Sequence, residues 1–215
     1  EVSGCVFAYT QSDEISLLLQ DFESTGTQPW FDGNIQKMCS VAAGFASSVF
    51  TMLMLSASFT LNTEVSFDAR VFTISDPVEV ANYFIWRQRD ATRNSILSAA
   101  QAALGNSACQ NLNTGQLQEK MFAEKGINWN DYPAEFKRGT IVMKETYVVD
   151  SPEDYVPGQS ERTRWAVRPS PQFTCEPGGW LDRLIPVLPT LRPVAALGPM
   201  PSRNRPPDAS CIIAA

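Results

Sequence analysis

Gly4-Cys5-Val6-Phe7-Ala8-Tyr9-Thr10-Gln11-Ser12-Asp13-Glu14-Ile15-Ser16-Leu17-Leu18-Leu19 decides how the rest of the chain is read. Two short, β-leaning apolar runs flank a polar tip, which predicts an antiparallel hairpin. The tip carries adjacent carboxylates, Asp13 and Glu14. Such a tip is either an ordinary polar turn or a place where hard cations are held by oxygen ligands beside a phosphate. The pattern alone leaves both readings open.

Composition narrows the chemistry. The 215 residues suffice to bury a core, and 44% hydrophobic with 19% charged residues is ordinary for a globular protein. A formal charge of −6 argues against a generic nucleic-acid coat, although a local basic groove is compatible with it. There is no histidine. Ser-His-Asp and Cys-His nucleophile systems, His-ligated zinc and imidazole acid–base catalysis are thereby excluded. The five cysteines are scattered, odd in number and lack a Cys-x-x-Cys pair, so a reduced, cytoplasmic protein without a zinc cluster is expected.

Met38 to Thr63 holds no charged residue and is long enough to cross a bilayer. Its many hydroxyls and its small residues Ala42, Ala43, Gly44, Ala46 and Ser47 predict instead a buried helix lying close on a sheet, with no membrane partner. The helix should run from Asn34 to about Leu55. Alternation from Glu64 to Ile74 predicts a half-buried strand. The next helix has the strongest start: Asp76 at the N-cap, Pro77 at N1, Glu79 closing a capping box, and Gly105 as the stop. A further helix is expected from about Gly115 to Lys125, a strand from Thr140 to Val149, a loop from Asp150 to Ser160, and an edge strand from Arg162 to Arg168. The Pro-rich stretch 189–215 shows no periodicity and predicts a disordered tail.

Two further stretches carry polar groups suited to phosphate. Trp86-Arg87-Gln88-Arg89-Asp90-Ala91-Thr92-Arg93-Asn94-Ser95 lies inside the capped helix, where Asp90 faces Asn94 and stands within one turn of Arg87. It reads as a solvated, salt-bridged face or as a cluster positioning phosphates. Lys137-Arg138-Gly139-Thr140 places a basic pair at a strand entry, either as plain turn charge or as an anion-binding lip.

Ser12-Asp13-Glu14, Phe67-Asp68-Ala69-Arg70-Val71-Phe72, the Trp86 to Ser95 run and Lys137-Arg138-Gly139-Thr140 resemble, in order and spacing, the tRNA-His guanylyltransferase family. Tyr9-Thr10-Gln11 before Ser12 and Ala91-Thr92-Arg93 in the helix resemble its bacterial and phage-type guanylyltransferase-like branch. The resemblance covers about Gly4 to Leu188. It implies an α/β (α+β) fold: a palm-like antiparallel sheet with helices packed on one face, related to polymerase and cyclase palms. The implied division is a catalytic palm at 1–149, a C-terminal extension at 150–188, and the tail.

The implied activity is nucleotidyl transfer to tRNA 5′ ends in the 3′–5′ direction, with two Mg²⁺ ions as cofactors and ATP and GTP or another nucleoside triphosphate as substrates. The implied partners are tRNA and further copies of the chain in a homotetramer. Asp13 and Glu14 are the implied catalytic and metal-binding residues; Ser12, Lys37, Asp90, Asn94, Ser95 and Lys137 are the implied nucleotide-binding residues. The family also bears an Asp-Gly-Arg strand before the hairpin, which this sequence lacks. Little activity is therefore expected of the chain as it stands, and a catalytically inactive nucleotide- or RNA-binding remnant is the alternative. Thr92 stands where the guanylyltransferase branch has histidine, so strict tRNA-His specificity is not expected.

Overall fold

A computed structural model describes residues 2–21, 26–150, 159–174, 181 and 210–214. Its centre is a six-stranded antiparallel sheet built from β1 (Cys5–Gln11), β2 (Glu14–Leu19), β3 (Arg70–Ile74), β4 (Thr140–Asp150), β5 (Gln159–Pro169) and β6 (Ser210–Ala214). The strand order is β3-β6-β2-β1-β4-β5. The helices are α1 (Ile35–Ser56), α2 (Pro77–Leu104), α3 (Thr114–Lys125) and α4 (Ala134–Arg138). The α+β, palm-like class expected from the sequence is the class observed.

The predicted hairpin forms because its alternation lets one face bury Phe7, Tyr9 and Leu18. Gln11 pairs with Glu14, which leaves Ser12 and Asp13 as a two-residue turn. Helix α2 lays Val80, Phe84 and Ile85 against this face, and Phe7 meets Phe84 edge-to-face at 5.0 Å between ring centres. The cap of α2 differs from the expected capping box: Asp76 accepts from the Val78 N–H at 2.9 Å, while Glu79 accepts weakly from Asn82. The reciprocal box occurs at α3, where the Asn113 side chain accepts from Gln116 N–H and the Gln116 side chain accepts from Asn113 N–H. Its apolar face, Leu117 and Met121, packs with Ile96, Ala100 and Trp129 in a second cluster below the C-terminal half of α2.

Helices do not all lie on one face, as the sequence reading had it. Leu17 and Ile213 are cross-strand partners, as are Leu18 and Ile212, and successive residues point to opposite faces. Leu18 and Ile212 belong to the α2 side, whereas Leu17 and Ile213 pack with Met38 and Ala42 of α1. α1 therefore covers the opposite face of β2, β6 and β3.

α1 is also not the buried helix expected. Met38 is its one buried residue, and Phe45, Met52, Leu53 and Leu55 are exposed. Small residues bring it close to the sheet along one narrow stripe, and that stripe is all it buries. The helix is long and apolar enough to cross a membrane by length and composition.

The largest difference concerns the Pro-rich end. Residues 210–214 form not tail but strand β6, between β2 and β3, with Ile212 and Ile213 fully buried. A strand covered on both faces reads as a continuous apolar run, without the alternation that marks a half-buried strand. The remainder of 189–215 lies outside the described residues, as does most of the expected loop at 150–160. Strand β3 starts at Arg70, not Glu64, because Phe67 N–H is taken by the Ser47 hydroxyl of α1 at 2.8 Å instead of a neighbouring strand.

Candidate active site

The hairpin turn projects beyond the sheet. Ser12 holds φ at 49°, a left-handed value that costs a non-glycine residue energy, and such outliers gather at functional sites. Asp13 is exposed and has no hydrogen bond or ion pair among the described residues. Glu14 is different: Arg87 of α2 forms an ion pair with its carboxylate, and Gln11 Nε2 donates to it at 3.4 Å.

That ion pair brings α2 to the tip. Arg87, Asp90 and Asn94 stand at i, i+3 and i+7, on one stripe of the helix. Asp90 is the acceptor of the stripe, taking Arg93 Nη2 at 2.5 Å and Asn94 Nδ2 at 3.3 Å. Beneath the tip, the Tyr9 hydroxyl donates to the Arg138 carbonyl at 2.8 Å. Burial pushes the Tyr9 hydroxyl well above its usual range, with the Arg87 charge pulling the other way. The strand entry closes the third side, since Gly139 lies against Thr10 and Gln11.

Ser95 and Lys137 join the same region from below. Ser95 is buried; it donates to the Thr92 carbonyl at 2.8 Å and accepts from Trp129 Nε1 at 3.3 Å. Lys137 Nζ donates to the Asn130 carbonyl at 2.6 Å and stands 5.5 Å over the Trp129 ring. Both are held by protein groups in this arrangement. The structure does not bring Lys37 to the group. Its N–H donates to the Asn34 cap and its Nζ lies 4.6 Å over Phe31. Its neighbour Met38 packs on Leu19, at the far end of β2, about 17 Å along the strand from Glu14 at ~3.3 Å per residue.

Arg87 is the residue the sequence reading undervalued. Its place beside Asp90 was visible from helical spacing, but the contact with Glu14 crosses from one element to another and has no local signature.

The fold has a counterpart among solved structures. A bacterial tRNA(His) guanylyltransferase (Thg1)-like protein in complex with ATP is 39% identical with a TM-score of 0.68, the match covering 80% of this chain and 67% of that one. The chain belongs to the tRNAHis guanylyltransferase family. The family model described as tRNAHis guanylyltransferase (Thg1) matches residues 1–75. A complex of a bacterial Thg1-like protein with GTP is 36% identical at TM-score 0.59, covering 80% of this chain and 66% of that one. Among curated guanylyltransferase relatives, the probable tRNA(His) guanylyltransferase of Mus musculus is 29% identical over 180 residues, which cover 78% of this chain and 59% of the mouse protein. The chain thus spans about 60% of the length of the curated relatives it matches.

A divalent cation is implied by the family resemblance, and the donors of this guanylyltransferase-family chain allow a test of fit. Among the described residues no three of Cys, Asp and Glu gather as a ligand set. Asp13 offers one free carboxylate and Glu14 is engaged by Arg87. One carboxylate completed by substrate phosphate oxygens suits one Mg²⁺ ion. The described donors do not provide for two.

Proposed function

We propose that this chain is the nucleotide- and RNA-end-binding part of a nucleotidyltransferase that adds nucleotides to tRNA 5′ ends in the 3′–5′ direction. In this reading ATP adenylylates the 5′-monophosphate of the RNA with release of pyrophosphate, and the 3′-hydroxyl of an incoming GTP or other nucleoside triphosphate then attacks that phosphate and displaces AMP. The observation that carries the reading is the free Asp13 carboxylate on a left-handed turn, beside the Arg87-Asp90-Asn94 stripe. A 39%-identical structure in complex with ATP supports nucleotide binding by this chain.

Asp13 would hold Mg²⁺ against the phosphates, with Ser12 donating to a phosphate oxygen. The ion supplies charge neutralisation on the phosphoryl oxygens. Asp90 and Asn94 offer an acceptor and an amide to the sugar or base. Ser95 and Lys137 set the floor of the site through Trp129, and Lys37 is left aside. A homotetramer, in a cytoplasmic setting, would place basic surface from one copy beside the acidic tip of another, which would favour RNA binding by a chain of formal charge −6.

The second reading is a binding remnant without turnover. It is favoured by Glu14 being tied to Arg87, which leaves a single carboxylate free. Extension of a radiolabelled, 5′-truncated tRNA separates the two. Template-directed 5′ addition by the wild type, lost in Asp13→Ala, supports the enzyme. Nucleotide binding with no extension supports the remnant.

A further inference from the structure

The two adjacent carboxylates of the tip are not equivalent. The Glu14 side chain is about half exposed, whereas that of Arg87 is 11% exposed, and the pair joins β2 to α2. Arg87 Nη2 is sealed from solvent and makes no hydrogen bond among the described residues; its partner there is the Glu14 carboxylate, as an ion pair. The guanidinium carbon also lies 4.7 Å over the Trp86 ring, a cation–π contact. A cation buried to this degree must keep its counter-ion, because an unpaired buried charge is strongly unfavourable. A carboxylate committed in this way is a poor metal donor. Asp13, one residue earlier, carries no such commitment.

We infer that Arg87 is a positioning residue and Glu14 its counter-ion: Glu14 anchors the hairpin tip to α2, and Asp13 alone faces the cation and phosphate. The inference deepens the proposed function and rests on it only for the identity of what Asp13 faces. The left-handed backbone of Ser12 follows from the two-residue loop itself, which needs positive φ at its first central position, so the turn is set by the hairpin and the anchor adds its tie to α2.

The anchor is tested first without metal, by thermal unfolding of the full chain and its variants. Glu14→Gln should lower the unfolding midpoint by about 5–10 °C, because it strands the buried guanidinium. Arg87→Met should lower it less, since Glu14 regains water. The double variant should be less destabilised than the sum of the two, and Arg87→Lys should lie between wild type and Arg87→Met. If Glu14 belonged instead to a repelling acidic pair awaiting metal, Glu14→Gln would raise the midpoint, and that result overturns the inference.

The positioning role is then read by Mn²⁺ titration with ATP present, at a temperature where all variants are folded. Asp13→Asn should abolish Mn²⁺ binding and Glu14→Gln should keep it within about tenfold of wild type. Arg87→Met should weaken it although it removes a positive charge, and Arg87→Lys should restore part of it. Tighter binding in Arg87→Met, or equal loss in Glu14→Gln and Asp13→Asn, overturns the assignment. A wild type that binds no Mn²⁺ refutes the proposed function, while the unfolding series still decides the anchor.

Discussion

A Cβ placed on Gly139 would lie 2.5 Å from the Thr10 carbonyl oxygen and 2.8 Å from the Gln11 Cβ, so the entry to β4 and the end of β1 meet backbone to backbone. Gly139 also holds φ at 80° and ψ at −167°, a region open to glycine and closed to L side chains. Gly139→Ala is expected to destabilise the fold by roughly 2–4 kcal/mol through this clash and the backbone penalty together. Urea unfolding measures it. A loss below about 0.5 kcal/mol, the range of ordinary surface changes, would show that the two strands are not in this register.

Gln88 is the clamp that holds the segment after β5 onto α2. Its buried amide donates to Ser170 Oγ at 2.8 Å and to the Pro171 carbonyl at 2.7 Å, and accepts from Phe173 N–H at 2.8 Å. Gln88→Leu keeps the volume and removes all three bonds. A cost of about 2–4 kcal/mol is expected from the loss of these buried hydrogen bonds. Hydrogen exchange at Phe173 should accelerate in parallel; unchanged protection there would place the segment elsewhere.

Strand β6 makes a sharper test, because nothing local in the sequence marks it. Ile212 and Ile213 are fully buried on opposite faces of the sheet. Each Ile→Ala replacement should cost about 2–5 kcal/mol, the range for emptying a packed core site. Denaturant midpoints indistinguishable from wild type for both would mean that 210–214 is not a sheet strand.

Alkaline pH should loosen the core around the hairpin. Burial raises the Cys5 thiol from 9.0 to about 11, and burial likewise raises the Tyr83 and Tyr9 hydroxyls. A raised acid favours its neutral form in the folded state, so its stabilisation is whole below the unfolded value and fades as pH climbs through the folded one. Stability should therefore decline from about pH 9 upward, beginning with Cys5. Chemical denaturation at pH 8 and pH 10.5 checks this, and Cys5→Ala should remove the earliest part of the decline. The chain has no histidine to add a transition between pH 5 and 8.

The sequence made legible those parts whose physics is local. The hairpin, the Asp76 start of α2, its Gly105 end and the β4–β5 pair all rest on alternation, caps or turn residues within one or two turns of chain. Two things resisted. Ile212-Ile213 looked like the end of a Pro-rich run because burial on both faces erases alternation. α1 looked buried because charge-free sequence suggests an interior, yet only the face bearing Met38 and Ala42 meets the sheet. In the candidate site, the hairpin tip that carries Asp13 and the helical stripe that carries Asp90 were readable from alternation and helical spacing. The partner of Glu14 was not, since the contact depends on how α2 crosses the sheet.

The central claim is that Asp13, exposed and without a partner among the described residues, is the group that faces nucleotide-bound metal. Calorimetric titration of the full chain with ATP in Mg²⁺, comparing wild type with Asp13→Ala, tests it most directly. The account predicts saturable binding by the wild type, weakened at least about tenfold in Asp13→Ala (about 1.4 kcal/mol), with thermal stability unchanged because the side chain supports nothing else. Equal affinity in the two proteins would contradict it and move the nucleotide away from the hairpin.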